Sequence, residues 1–185
     1  VADELEKLNF NLNQLPNNNN ILAEGGEFYF CPKDKLLFSG INRNTITGAE
    51  YVASFLNANE LILIDTPSFH LDTVFTTVFD KQGALSAMIV CEELITKDSF
   101  KNLEKISIKL NVHIITIPAK DSIGTDDYLG SLAVNSFCAP GLLISSSHYS
   151  DFSVGKKLEI LGVKTEVCPV SQFQLSGGSV HCLTN

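Results

Sequence analysis

The chain has 185 residues, a 44% apolar fraction without tryptophan, and a formal net charge of −8. That length suits one domain with a real core, and the longest apolar run, near Ala139–Ile144, is far too short to span a bilayer. An acid excess with scattered basic residues argues against nucleic acid or an anionic membrane surface as partner and leans towards a cationic small substrate. No basic segment followed by an apolar one opens the chain, so nothing reads as a secretory signal. The five cysteines, Cys31, Cys91, Cys138, Cys168 and Cys182, form no CxxC pair. Four of them sit in apolar surroundings, as buried free thiols do. This reads as a reducing, cytoplasmic setting without a disulfide framework.

In chain order, a helix runs to Leu8 and a strand follows over Phe10–Leu15. Asn17–Asn20 is a short polar stretch and reads as a loop. Strands Glu27–Phe30 and Leu36–Ser39 flank the turn Pro32–Lys35. A helix over Thr47–Leu56 opens on the capping pattern Thr47-Gly48-Ala49-Glu50, and strand Leu61–Ile64 follows. The order then repeats: strands Thr73–Phe79 and Ala84–Cys91 around Asp80–Gly83, helix Asp98–Leu110, strand Val112–Ile117. Asp98 is the expected N-cap of that helix, and Phe100, Leu103, Ile106 and Leu110 form its apolar face. A third copy has strands Ser131–Phe137 and Leu142–Ser145 around Cys138–Gly141, helix Phe152–Leu161 stopped by Gly162, and strand Val163–Val167.

The chain is thus expected to be α/β, built of three β-β-α-β units of roughly 45–55 residues, a period typical of arrays and propellers. The units run over about 24–65, 71–118 and 128–170 within a single domain 1–185, with a final segment 171–185. The half-unit in front predicts that the sequence begins inside a repeat. Open edges would then expose strand backbone and favour self-association, for example as a homodimer.

Three segments carry chemistry: Ala23-Glu24-Gly25-Gly26, Phe69-His70-Leu71-Asp72-Thr73 and Gly177-Gly178-Ser179-Val180-His181-Cys182. Together they supply a carboxylate, an imidazole beside a second carboxylate, and a thiol after two small residues that let backbone approach a ligand. His70 and Asp72 are two apart in an extended segment, so both side chains leave one face. His181 adjoins Cys182, and a strand would turn the two to opposite faces. His113 reads as a core or edge residue and His148 has no obvious partner. No His or Cys spacing suits zinc and no nucleotide-binding glycine loop occurs, so neither metal nor cofactor is expected.

These motifs and repeats resemble those of the guanidine-modifying, or pentein, superfamily, which includes arginine deiminases, dimethylarginine dimethylaminohydrolases, agmatine deiminases and amidinotransferases. The resemblance rests on Glu24-Gly25-Gly26-Glu27, Arg43-Asn44-Thr45 before Gly48, His70-Leu71-Asp72, and Gly177-Gly178 before Cys182. It implies an α/β propeller of β-β-α-β units, of which this chain holds an incomplete set. Glu27 stands where the family has Asp, and the unit carrying a further guanidinium-binding Asp is missing, which predicts impaired activity for these residues alone.

The resemblance also implies roles. Cys182 would attack the guanidinium carbon and His70 would protonate the leaving amine and then activate water, with Glu24 fixing the His70 tautomer. Asp72 would hold the guanidinium through paired N–H bonds. Arg43, the only arginine in the chain, would clamp the substrate carboxylate, with Glu27, Gly177 and Gly178 also lining the substrate site. The expected activity is hydrolysis of a C–N bond of arginine or a methylated arginine through a covalent thiouronium intermediate. Transfer of the amidino group to an amine is the alternative, and a non-catalytic binding protein a second.

Overall fold

A computed structural model describes residues 2–10, 12–16 and 20–184. Helix α1 (Ala2–Lys7) ends at Asn9, whose φ of 61 turns the chain into the left-handed region. The strand expected over Phe10–Leu15 is not formed among the described residues there; the Phe10 N–H turns back to the Leu5 carbonyl at 3.1 Å. Of the asparagine stretch, positions 17–19 lie outside the described residues.

The first unit comprises β1 (Phe28–Cys31), β2 (Leu36–Gly40), α2 (Ile46–Phe55) and β3 (Glu60–Ile64). Strand β2 is antiparallel to β1 and parallel to β3, so the helix is the crossover between parallel strands. Thr45, rather than Thr47, caps α2: its hydroxyl accepts from Gly48 N at 3.0 Å. The second unit repeats the pattern with β4 (Phe75–Phe79), β5 (Leu85–Val90), α3 (Lys97–Leu110) and β6 (His113–Thr116). Thr96 takes the cap expected of Asp98. Leu103 and Ile106 face inward as their spacing requires.

A two-stranded ribbon, β7 (Gly124–Thr125) with β8 (Tyr128–Leu129), precedes the third unit. That unit has β9 (Phe137–Ala139), β10 (Leu142–Ser145), α4 (Phe152–Ile160) and β11 (Lys164–Val167). Two short helices, α5 (Ser171–Gln174) and α6 (Val180–Thr184), follow. The described strands form three separate three-stranded sheets and the ribbon, and no closed sheet joins them. No helix is long and apolar enough to cross a membrane among the described residues.

The core is shared by all three units: Phe38, Phe75, Met88, Leu103, Leu143 and Leu158 are all fully buried in one cluster. What matters for function is where the first strand of each unit begins. Glu24–Glu27 precede β1, His70–Thr73 precede β4 and Asn135 precedes β9, and these three segments meet beside α6.

Glycine in the middle of α4 offers a test of the helix itself. A Cβ at Gly155 would meet nothing within 4 Å, so Gly155→Ala removes backbone freedom without a clash. It is expected to stabilise the protein by about 0.5–1 kcal/mol in denaturant unfolding; a loss of stability would contradict this packing of α4.

Candidate active site

The site starts from a glycine that leaves room. At Gly26 an added Cβ would lie 2.7 Å from His70 Nδ1 and 3.2 Å from Asp72 Oδ2. The bare backbone there lets an imidazole and a carboxylate approach one point. His70 is extended, but residues 71–73 form a 3-10 turn rather than a strand start. The two side chains therefore converge through the turn and not through pleat alternation.

His70 Nε2 lies 2.7 Å from Glu24 Oε2. Glu24 in turn accepts from Arg43, with Nε 3.3 Å from Oε2 and a terminal nitrogen 3.1 Å from Oε1. Hydrogen bonding to His70, then to Arg43, holds the Glu24 carboxyl below its usual range. Arg43, expected to clamp a substrate carboxylate, thus directs its fork at Glu24 and lies over the Phe69 ring at 4.9 Å. Its side chain stays 44% exposed, leaving donors at the surface.

Glu27, expected among the substrate-binding residues, is fully buried. Its two oxygens accept from the backbone N–H groups of Arg43 at 2.9 Å and Leu71 at 3.0 Å. Burial pushes its carboxyl up, and those two amides pull it back down. It ties the loop after β2 to the His70 turn. A buried carboxylate that accepts from two main-chain segments positions both of them.

Asp72 is fully buried. Its Oδ2 lies 3.3 Å from Cys182 Sγ and 3.0 Å from His181 Nδ1. Its Oδ1, also buried, has no hydrogen-bond partner among the described residues. A buried carboxylate oxygen without a donor is costly.

Cys182 sits within α6, not on a loop or strand. The helical turn brings His181 into the site, against the strand expectation that faced it away. Its ring stacks on Tyr29 with centroids 4.7 Å apart. Gly177 and Gly178, expected to line the substrate, instead shape the turn into α6: Gly177 has φ +81, and a Cβ at Gly178 would stand in ordinary contact, 3.4 Å from Cys182 Cβ.

The residue that sequence reasoning missed is Asn135. It is fully buried, accepts from Cys182 N at 3.2 Å and donates Nδ2 to Cys182 Sγ at 3.2 Å and to the Asp72 carbonyl at 3.1 Å. One amide therefore holds both the backbone and the sulfur of Cys182 against the Asp72 segment. The only signal was a single amide inside the apolar run Leu132–Phe137.

Burial, then the nearby Asp72 charge, pushes the Cys182 thiol up, so it rests protonated at neutral pH. Of the remaining cysteines, Cys31 and Cys91 are buried, Cys138 is half-buried, and Cys168 is exposed, contrary to the sequence expectation of four buried thiols. Brief iodoacetamide treatment at neutral pH should label Cys168 first, with Cys182 labelling rising as pH increases. Faster labelling of Cys182 than of Cys168 at neutral pH would show that the thiol is not held up as this geometry requires.

No family model matches the chain, and no curated protein matches it in sequence. Solved structures do. The N-terminal domain of ArgZ bound to substrate, an arginine dihydrolase from the ornithine–ammonia cycle in Cyanobacteria, superposes with a TM-score of 0.77 at 19% identity, covering 98% of this chain and 62% of that one. An AgrE mutant in complex with L-arginine gives 0.75 at 17% identity, covering 98% and 25%. SxtG, an amidinotransferase of the saxitoxin pathway from Microseira wollei, gives 0.62 at 17% identity, covering 89% and 47%. The chain spans 62% of the length of the ArgZ domain it matches. It has the same fold as the ArgZ N-terminal domain, AgrE and SxtG.

Proposed function

We propose that this chain belongs to an enzyme that cleaves a C–N bond of arginine or a methylated arginine through a covalent intermediate on Cys182. The observation that carries the reading is the Asp72–Cys182 pair. A buried carboxylate with one unpartnered oxygen stands 3.3 Å from a thiol. A planar cation on that carboxylate would satisfy Oδ1 and bring its carbon to the sulfur. The arginine dihydrolase and L-arginine complexes of the same fold support arginine as the substrate class. We read the three sheets as units of the family's propeller.

The chemistry follows from the resting state. In the free site burial, and after it the Asp72 charge, keeps the proton on the thiol. A bound guanidinium neutralises that charge, so the thiolate forms when the substrate arrives, with the S–H proton passing to His70. Sulfur adds to the guanidinium carbon, and the C–N bond to the leaving amine breaks as His70 gives that nitrogen a proton. A thiouronium ester remains, and Glu24, 2.7 Å from the imidazole, orients the ring, which is now neutral and able to act as a base. His70 then takes a proton from water, hydroxide adds to the thiouronium carbon, and the C–S bond breaks to return the thiol and release a ureido product. Asn135 Nδ2, 3.2 Å from the sulfur, stabilises negative charge there whenever it forms. Five free cysteines suit a cytoplasmic enzyme.

A second reading, amidino transfer to an amine, is favoured by the match to SxtG. It needs the same thiouronium intermediate with an amine in place of water. Incubation with L-arginine, alone and with glycine, separates the two: release of ammonia or citrulline marks hydrolysis and a new guanidino product marks transfer. His70→Ala should lower turnover by about 10²–10⁴-fold, the range for a lost acid–base group, while arginine binding measured calorimetrically persists. Full turnover in that variant would remove His70 from the mechanism.

A further inference from the structure

We propose that His181 is a positioning residue whose own protonation sets how much of the Asp72 charge is available to a cationic substrate. The inference rests on the reading of Asp72 as the guanidinium holder and adds a control element to it.

His181 Nδ1 is 3.0 Å from Asp72 Oδ2, the same oxygen that Cys182 Sγ approaches at 3.3 Å. Facing a carboxylate, Nδ1 must carry the hydrogen, since two acceptors would repel. The proton that comes and goes is therefore on Nε2. The residue is held at the ring face, at Nδ1 and at its backbone. It stacks on Tyr29 at 4.7 Å, and Tyr29 packs edge-on against Phe75 at 5.4 Å. The His181 backbone N–H donates to the Asn135 carbonyl at 3.2 Å. With its ring held, His181 fixes the rotation of the carboxylate: Oδ2 is taken and Oδ1 is turned free.

The groups facing the imidazole leave Asp72 as its one charged contact. From β1 comes Tyr29, whose phenol is pushed well above its usual range by burial and stays neutral. From β9 comes Cys138, across a hollow of about 180 Å³ that His181 also lines; burial pushes its thiol up to about 11. From α6 itself come Cys182, protonated at rest, and the uncharged Thr184. The segment before β9 offers Asn135, also uncharged. The His70–Glu24 pair stands beyond Asp72, joined to itself at 2.7 Å.

The sign follows directly. An imidazolium at His181 neutralises Asp72 and repels an incoming guanidinium. A neutral His181 keeps the hydrogen bond and leaves the negative charge for the substrate. Substrate binding and His181 protonation therefore compete, and by linkage each weakens the other equally. Acidification through the His181 titration should raise KM for arginine with little change in kcat from this group.

The test follows the histidine ring protons by NMR against pH in a Cys182→Ser protein, with and without saturating L-arginine. The His181 midpoint should fall by about one pH unit on binding, the scale of a neighbouring charge at this distance, while the exposed His148 stays unmoved. Arginine that shifts the His70 signal but leaves the His181 midpoint in place overturns the inference and spares the proposed function. Arginine that perturbs neither ring overturns the guanidinium site and the inference with it. Steady-state kinetics give an independent readout. His181→Asn keeps a donor near Asp72 but cannot gain a proton, so its KM should lose the acid rise seen in the parent. KM curves that run parallel in the two proteins count against the proposal.

Discussion

Asp72→Asn is expected to abolish arginine turnover and, at the same time, to make the protein more stable. The parent buries a carboxylate completely and, among the described residues, gives one oxygen no partner and the other a thiol and an imidazole. An unsatisfied buried polar group costs about 1–3 kcal/mol. The amide keeps an acceptor for His181 and removes the charge, so unfolding should become harder by about 1 kcal/mol. Binding moves the other way. A guanidinium beside the buried residue 72 would lose its counter-charge, a change worth about 2–5 kcal/mol. Thermal melts and calorimetric titration with arginine measure both halves. A lower melting temperature would show that Asp72 is already well served in the resting protein, and normal arginine affinity would remove it from substrate binding.

Gly40→Ala should be among the most damaging single-methyl additions in the chain. A Cβ at this position, the end of β2, would overlap the Glu27 carboxylate. Glu27 cannot step aside cheaply, because its two oxygens hold the amides of Arg43 and Leu71. Displacing it leaves a buried carboxylate and two N–H groups without partners, at a cost of about 3–5 kcal/mol. The same movement loosens the Arg43 loop and the His70 turn together, so activity should fall even in the fraction that folds. Urea unfolding reads the first effect and residual turnover at low temperature the second. A stability loss below about 1 kcal/mol, the size of an ordinary surface change, would mean that the clamp has slack.

The repeating order of strands and helices was legible because each unit carries its own local signals: apolar runs for β2, β5 and β10, turn residues between paired strands, and an amphipathic face on α3. Element starts were less so. Sequence reading extends β4 back to Thr73 and β9 back to Ser131, yet both stretches turn instead of pairing. In each case the chain leaves strand geometry to aim a polar side chain, Asp72 or Asn135, at the site. The helical state of Val180–Thr184 was hidden for a related reason: five residues have little intrinsic helix preference, and α6 is held by Asn135 from a distant segment. Glu24, His70, Asp72 and Cys182 were nameable because their motifs are local. Asn135, His181 and the buried position of Glu27 depend on contacts between segments far apart in sequence, which spacing alone does not encode.

One feature of the site bears on how the protein is made. Cys182 and Asp72 meet across 110 positions of chain, and the two halves of the Asn135 clasp are 47 apart. Synthesis is vectorial, so a chain emerging from the ribosome displays Glu24, Arg43, His70 and Asp72 well before Cys182 can join them. Contacts of such long range form late and slowly. The Asp72 segment and Cys182 come together only when α6 docks, which makes docking of that short helix a natural reporter that the three units have met.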